Sequence, residues 1–105
     1  MYESAKNARV KHCVFMKMKP ETSELTKSSI FELLDGLPKE ELGIVEMVHG
    51  PLVPSPSGPD LSRGYTDGLS VTFQSVEDRN RYNVDPGHQR ILNDEIIPNV
   101  VGGVD

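Results

Sequence analysis

The chain has no tryptophan and a single cysteine, Cys13. One cysteine excludes an intrachain disulfide and fits a reducing compartment, so a soluble cytoplasmic protein is expected. With three Phe, three Tyr and a hydrophobic share of 36%, the 105 residues hold a lean core. That length suits one compact domain and is too short for two. The lean core favours a partner subunit that completes the burial. Lysine and arginine form no cluster and the formal net charge is −5, which argues against nucleic-acid binding and against docking on an anionic membrane. No apolar run approaches a membrane span, and the opening MYESAKNAR lacks the apolar stretch of a signal peptide. Residues 1–9 are read as a flexible N-terminal arm before a domain over 10–105.

Several enzyme signatures are missing as well. There is no P-loop, no GxGxxG dinucleotide fingerprint and no GxSxG nucleophile elbow. The scattered histidines and lone cysteine have no metal-ligand spacing. Gly102-Gly103 reads as a turn or bulge. No metal and no cofactor are expected.

What is present alternates between strand and helix signals. VKHCVFMKMK (10–19), stopped by Pro20, predicts a first strand with Val10, His12, Val14, Met16 and Met18 on one face and Cys13 and Phe15 on the other. Apolar residues on both faces suggest a strand covered on both sides. Thr22 or Ser23 is placed to cap a helix carrying Leu25, Ile30, Phe31, Leu33, Leu34 and Leu37, ended by Gly36 and Pro38. GIVEMVHG (43–50) predicts a second strand, with Ile44, Glu46 and Val48 on one face. His49, beside Gly50 at its end, is expected to face solvent. The segment 51–64 holds four of the chain's eight prolines and predicts a long loop, a functional lid or simply a mobile connector. YTDGLSVTFQ (65–74) alternates cleanly, with Tyr65, Asp67, Leu69, Val71 and Phe73 on one face. Ser75 and Asp78 approximate a capping box for a helix to Tyr82, Pro86 favours a fresh helix start reaching Pro98, and VVGGVD begins a fourth strand.

The order β-α-β-β-α-β is the ferredoxin-like, split βαβ arrangement: an α+β protomer with a four-stranded antiparallel sheet and helices on one face. Two helices cover one side only. A homodimer with two sheets face to face is the simplest way to cover the other.

Three segments, VKHCVFMKMKP, SRGYTDGLSVTFQSVEDRNRY and DPGHQ, together resemble the stress-responsive A/B barrel family of dimeric α+β barrel proteins. The resemblance spans roughly residues 10–105 and is most specific in Gly-Tyr-Thr with Pro-x-His. It implies a dimeric barrel. The family is functionally mixed: many members have no assigned activity, some are stress-associated, and a plant branch holds polyketide cyclases that close a poly-β-keto chain by aldol condensation. In that branch a tyrosine and a histidine six residues apart flank the Pro-x-His turn, as Tyr82 and His88 do, and a histidine matching His12 lines the pocket. Asp67 stands where that branch has a histidine after Tyr-Thr. Asp85 stands where a histidine often precedes the proline.

Each of these residues has a chemical and a structural reading. An imidazole titrates near neutrality, so His88 suits a general base that removes an α-proton and later returns it; it also suits a helix N-terminal residue packed on the turn. Tyr82 suits a hydrogen-bond donor to a developing oxyanion, or a buried ring with a wet hydroxyl. His12 is a pocket partner or a hydrogen-bonded core histidine. Asp67 either reaches solvent at the sheet edge or pairs with a base such as His12 or His88. Tyr65 and Phe73, on the same face as Asp67, join it and His12 as expected ligand-contacting residues. Cys13 reads as inert packing. Two functions follow: a cofactor-independent cyclase or lyase acting on a small carbonyl or aromatic compound, or a non-catalytic A/B barrel protein binding a small hydrophobic ligand.

Overall fold

The computed structural model describes residues 9–53, 56 and 63–101. Nearly all of the expected arm and most of the proline loop therefore lie outside the described residues. The elements run in the order β1 (Val10–Met16), α1 (Glu24–Asp35), β2 (Ile44–Pro51), β3 (Asp67–Phe73), α2 (Val76–Val84) and α3 (Pro86–Ile91). β3 lies in the middle of an antiparallel sheet of order β1-β3-β2. On β1 its partners include His12↔Val71 and Val14↔Leu69; on β2 they include Met47↔Val71 and His49↔Leu69.

Gly102-Gly103 and the two residues that close VVGGVD lie outside the described residues, and within them the fourth strand is a single bridge, Met18↔Val100, beside the end of β1. Two backbone bonds brace it: the Lys19 amide donates to the Asn99 carbonyl and the Val101 amide to the Lys17 carbonyl, both at 2.8 Å. The ferredoxin-like order is kept, with three full strands among the described residues. The predicted helix from Pro86 to Pro98 also breaks up. After α3 the chain loosens into a π turn over Leu92–Ile96 and a 3-10 turn over Ile97–Asn99, which carries Val100 to the sheet.

Local caps explain where the helices begin. Ser23 accepts from the Thr26 amide and Ser75 from the Asp78 amide, each satisfying a first-turn donor that has no partner within the helix. Ahead of β2, Gly43 has φ +68°, and a Cβ there would meet the Asp78 side chain at 2.3 Å. Only glycine lets this corner pass so close to α2.

The core lies between the helices and one sheet face. Ile30, Leu34, Val71 and Phe73 have no exposed surface, and each side chain so buried contributes about 1.5–3 kcal/mol. The apolar stripe of α1 is narrower than its sequence suggests, since Leu25 and Leu33 face outward. On β2 the pairing shifts by one residue between Ile44 and Glu46. This bulge at Val45 turns Ile44 into the core while Glu46 and Val48 stay exposed, so the three do not share a face. Among the described residues the opposite sheet face carries no helix. Cys13, Phe15 and Val48 lie there, with Phe15 58% and Val48 55% exposed.

Candidate functional site

The site is built by a chain reversal. Tyr82 is in the last turn of α2, and Asp85 ends that helix while starting the next. The Asp85 carboxylate accepts from the His88 amide at 3.0 Å, and Pro86 occupies the first turn, where no amide hydrogen is needed. The reversal folds His88 back over Tyr82: the ring centroids are 3.9 Å apart, with planes inclined by 31°. From β1, His12 meets the Tyr82 ring edge-on at 6.3 Å. Phe73 backs both rings, at 5.1 Å from Tyr82 and 6.5 Å from His12.

Against this aromatic group lies a cavity of about 280 Å³. Its polar wall is His12, Tyr82, Asn83, His88 and Gln89. Its apolar wall is Val14, Met16, Leu34, Leu69, Leu92 and Ile96, with Cys13 also touching it. His88 Nδ1 is buried and has no hydrogen-bond partner. The nearby Tyr82 carbonyl favours the protonated ring, but it does not meet Nδ1 in hydrogen-bond geometry.

Burial sets the electrostatics. It lowers the pKa of His88, helped by the like charge of His12 and opposed by Asp85 and the Tyr82 carbonyl. His12 is lowered by burial and then by the Arg79 guanidinium. The Tyr82 phenol is pushed up to about 12 by burial. Near neutral pH the site thus presents unprotonated imidazoles next to a phenol that keeps its proton. A base and a donor stand side by side.

Asp67 is elsewhere. It is 3% exposed, with Lys27 Nζ at 3.4 Å and the Thr66 hydroxyl donating at 2.7 Å. Its base is therefore the lysine of α1; neither His12 nor His88 pairs with it. It borders a second cavity, of about 410 Å³, between α1 and β2. Tyr65 is outside β3 and 41% exposed, with Lys17 Nζ 5.0 Å above its ring. Phe73 supports the site from behind and does not line the cavity. His49, expected at the surface, stacks on Phe31 with centroids 4.4 Å apart and pairs with Asp35 at 2.9 Å. Among the described residues no group of three His, Cys, Asp or Glu is arranged to hold a metal.

Asn83 and Gln89 were not anticipated. Each directly follows a predicted site residue, and consecutive helix positions point about 100° apart, so sequence gave no reason to bring them into one wall. The bend at Asp85 does this, and the Gln89 side-chain amide donates to the Asn83 carbonyl across it.

Among solved structures the fold is similar to a dimeric ferredoxin-like protein of unknown function from Jannaschia sp. CCS1. That match has 26% identity over 91% of this chain and 89% of that one, with a TM-score of 0.75. A hydroxynitrile lyase from Passiflora edulis aligns at 22% identity over 94% of this chain and 89% of that one, with a TM-score of 0.77. A Dabb family protein with a ferredoxin-like fold from Mesorhizobium loti aligns at 21% identity over 88% and 86%, with a TM-score of 0.65. No curated protein matches the sequence. The family model for the stress responsive A/B barrel domain matches residues 10–102, and the chain belongs to that family.

Proposed function

We propose that the protein is a cofactor-independent enzyme that makes or breaks a carbon–carbon bond next to a carbonyl, of cyclase or lyase type. The observation that carries this reading is the Tyr82–His88 stack at 3.9 Å on the polar wall of a cavity whose other side is apolar. With Nδ1 buried, Nε2 is the His88 nitrogen left to a ligand. In the condensation direction, Nε2 takes a proton from the carbon α to a carbonyl. The resulting enolate attacks a second carbonyl carbon, whose oxygen becomes an alkoxide held by the Tyr82 hydroxyl, and His88 returns its proton to that oxygen. In the cleavage direction, His88 removes the hydroxyl proton of the carbinol, the carbon–carbon bond breaks to leave a carbonyl, and the His88 imidazolium gives that proton to the departing carbanion. General acid–base catalysis of this kind contributes roughly 10²–10⁴-fold, and an oxyanion donor about 10²–10³-fold. His12 is a pocket partner that tunes His88. The lyase from Passiflora edulis supports the reading to the extent that its fold accommodates such chemistry.

The same reading includes a homodimer packed through the bare sheet faces. Phe15 and Val48 on that face support it, as do similar structures described as dimeric. It keeps residues 10–105 as one domain after an arm over 1–9, in a reducing cytoplasm where Cys13 stays a free thiol. Tyr82, at 1% exposure, favours the second reading, a binding protein whose rings only shape a hydrophobic pocket.

Turnover decides between the two. The protein and its His88→Ala variant are incubated with a reactive poly-β-keto thioester and, separately, with an aromatic cyanohydrin, and products are followed by chromatography. The enzymatic reading requires product formation that His88→Ala lowers at least a hundredfold. Equal product profiles with the protein, with the variant and with buffer would leave the binding reading standing.

A further inference from the structure

Among the described residues lining the cavity there is no Lys, Arg, Asp or Glu. Its polar atoms belong to a phenol, two imidazoles and two amides. Burial holds both imidazoles towards their neutral form, and the like charge of His12 further lowers His88. The nearest full charges act from outside. The Asp85 carboxylate is engaged by the His88 amide at 3.0 Å. Arg79, which acts on His12, donates through Nε to Asn80 at 3.0 Å and is not part of the wall. The Gln89 amide nitrogen already donates to the Asn83 carbonyl.

An entering carboxylate would give up its water and find neutral donors only, with no cation to compensate. A carbonyl or hydroxyl needs one donor or acceptor, which the wall supplies. Size narrows the choice further. A dry cavity of roughly 150 Å³ accepts benzene, so about 280 Å³ accommodates one ring with a short substituent.

We infer, on the basis of the carbonyl-chemistry reading above, that this site selects compact ligands uncharged at neutral pH and rejects carboxylates of the same shape. The preferred class is a single ring or short chain bearing an aldehyde, ketone, amide or hydroxyl. Free keto acids are excluded as substrates.

Benzamide and benzoate are close in shape and differ in charge, so they isolate the effect. Each is titrated at pH 7.5 into the isotope-labelled full chain, with chemical shifts followed at Tyr82, His88 and Leu92. Benzamide is expected to shift these resonances with a Kd at least tenfold below that of benzoate. Gln89→Arg, which places a cation in the wall, is expected to bring benzoate at least level with benzamide. The inference is overturned if benzoate binds the wild-type cavity as tightly as benzamide, if neither probe shifts these residues, or if a folded Gln89→Arg protein keeps the original preference. Selective binding without turnover would sink only the enzymatic reading. Turnover of a keto acid as fast as its amide would sink only the selection.

Discussion

Tyr82 separates packing from chemistry because its ring and its hydroxyl have different tasks. The residue is 1% exposed, and its ring touches those of His88, Phe73 and His12. Tyr82→Ala removes a buried aromatic side chain, at a cost of about 3–5 kcal/mol from a total stability of roughly 5–15 kcal/mol for a domain. At about 4–8 °C per kcal/mol for a domain near this size, Tm falls by about 12 °C or more. Tyr82→Phe keeps the ring, so its stability cost stays within about 1 kcal/mol. Since burial pushes the phenol up to about 12, the group lost at neutral pH is a donor and not a phenolate. Turnover should then fall about 10²–10³-fold, as for other oxyanion donors. Urea unfolding and initial rates on the two variants, assayed below the lower Tm, test both halves. Full activity in Tyr82→Phe would refute the donor role. A loss above about 2 kcal/mol in the same variant would mean the hydroxyl is a structural hydrogen-bonding group.

Further outcomes follow from other contacts. His12 and His88 have pKa values lowered below 6.5 in the folded chain, so between those values and 6.5 the unfolded chain binds more protons, and stability falls as pH drops through this window. Urea midpoints at pH 7.5 and 5.5 should show the loss, and the His12→Gln/His88→Gln double variant should flatten it. Removing the His12 charge alone raises the His88 pKa, which an NMR titration of His12→Gln would detect as an upward move. Lys27→Met strands the buried Asp67 carboxylate; breaking such a pair costs about 3–5 kcal/mol when both groups are fully buried, and partial exposure of Lys27 reduces this to about 1–2 kcal/mol. Adding Asp67→Asn should recover much of that loss in urea unfolding, and a neutral Lys27→Met would contradict the pairing. Phe15→Lys with Val48→Lys should yield a folded monomer by light scattering if the bare sheet face is the dimer contact, whereas an unchanged dimer would place the contact elsewhere.

Features set by neighbours in the chain were legible without the structure. Ser23, Ser75 and Pro86 mark helix starts because capping is settled within a single turn. The alternation of β3 placed Leu69, Val71 and Phe73 in the core, since strand side chains change face at every step. The resemblance to the A/B barrel family singled out Tyr82 and His88 on either side of the Asp-Pro-Gly turn, and the structure brings the two into ring contact.

Partners supplied from distant parts of the chain were not legible. The sequence leaves Asp67 to solvent or to a histidine such as His12 or His88, yet α1 supplies Lys27. His49 was assigned to solvent, yet Phe31 gives it a stacking surface. The bulge at Val45 turned Ile44 inward against the simple alternation, and Gln89 joined the wall only through the bend at Asp85. The sequence by itself determined the order of elements, their caps and the ferredoxin-like class, because these depend on local backbone preference and hydrophobic period. Only the tertiary structure decided which polar groups share a cavity and which are neutralised elsewhere. Those pairings depend on ångström-scale distances between segments, and burial then sets their charge.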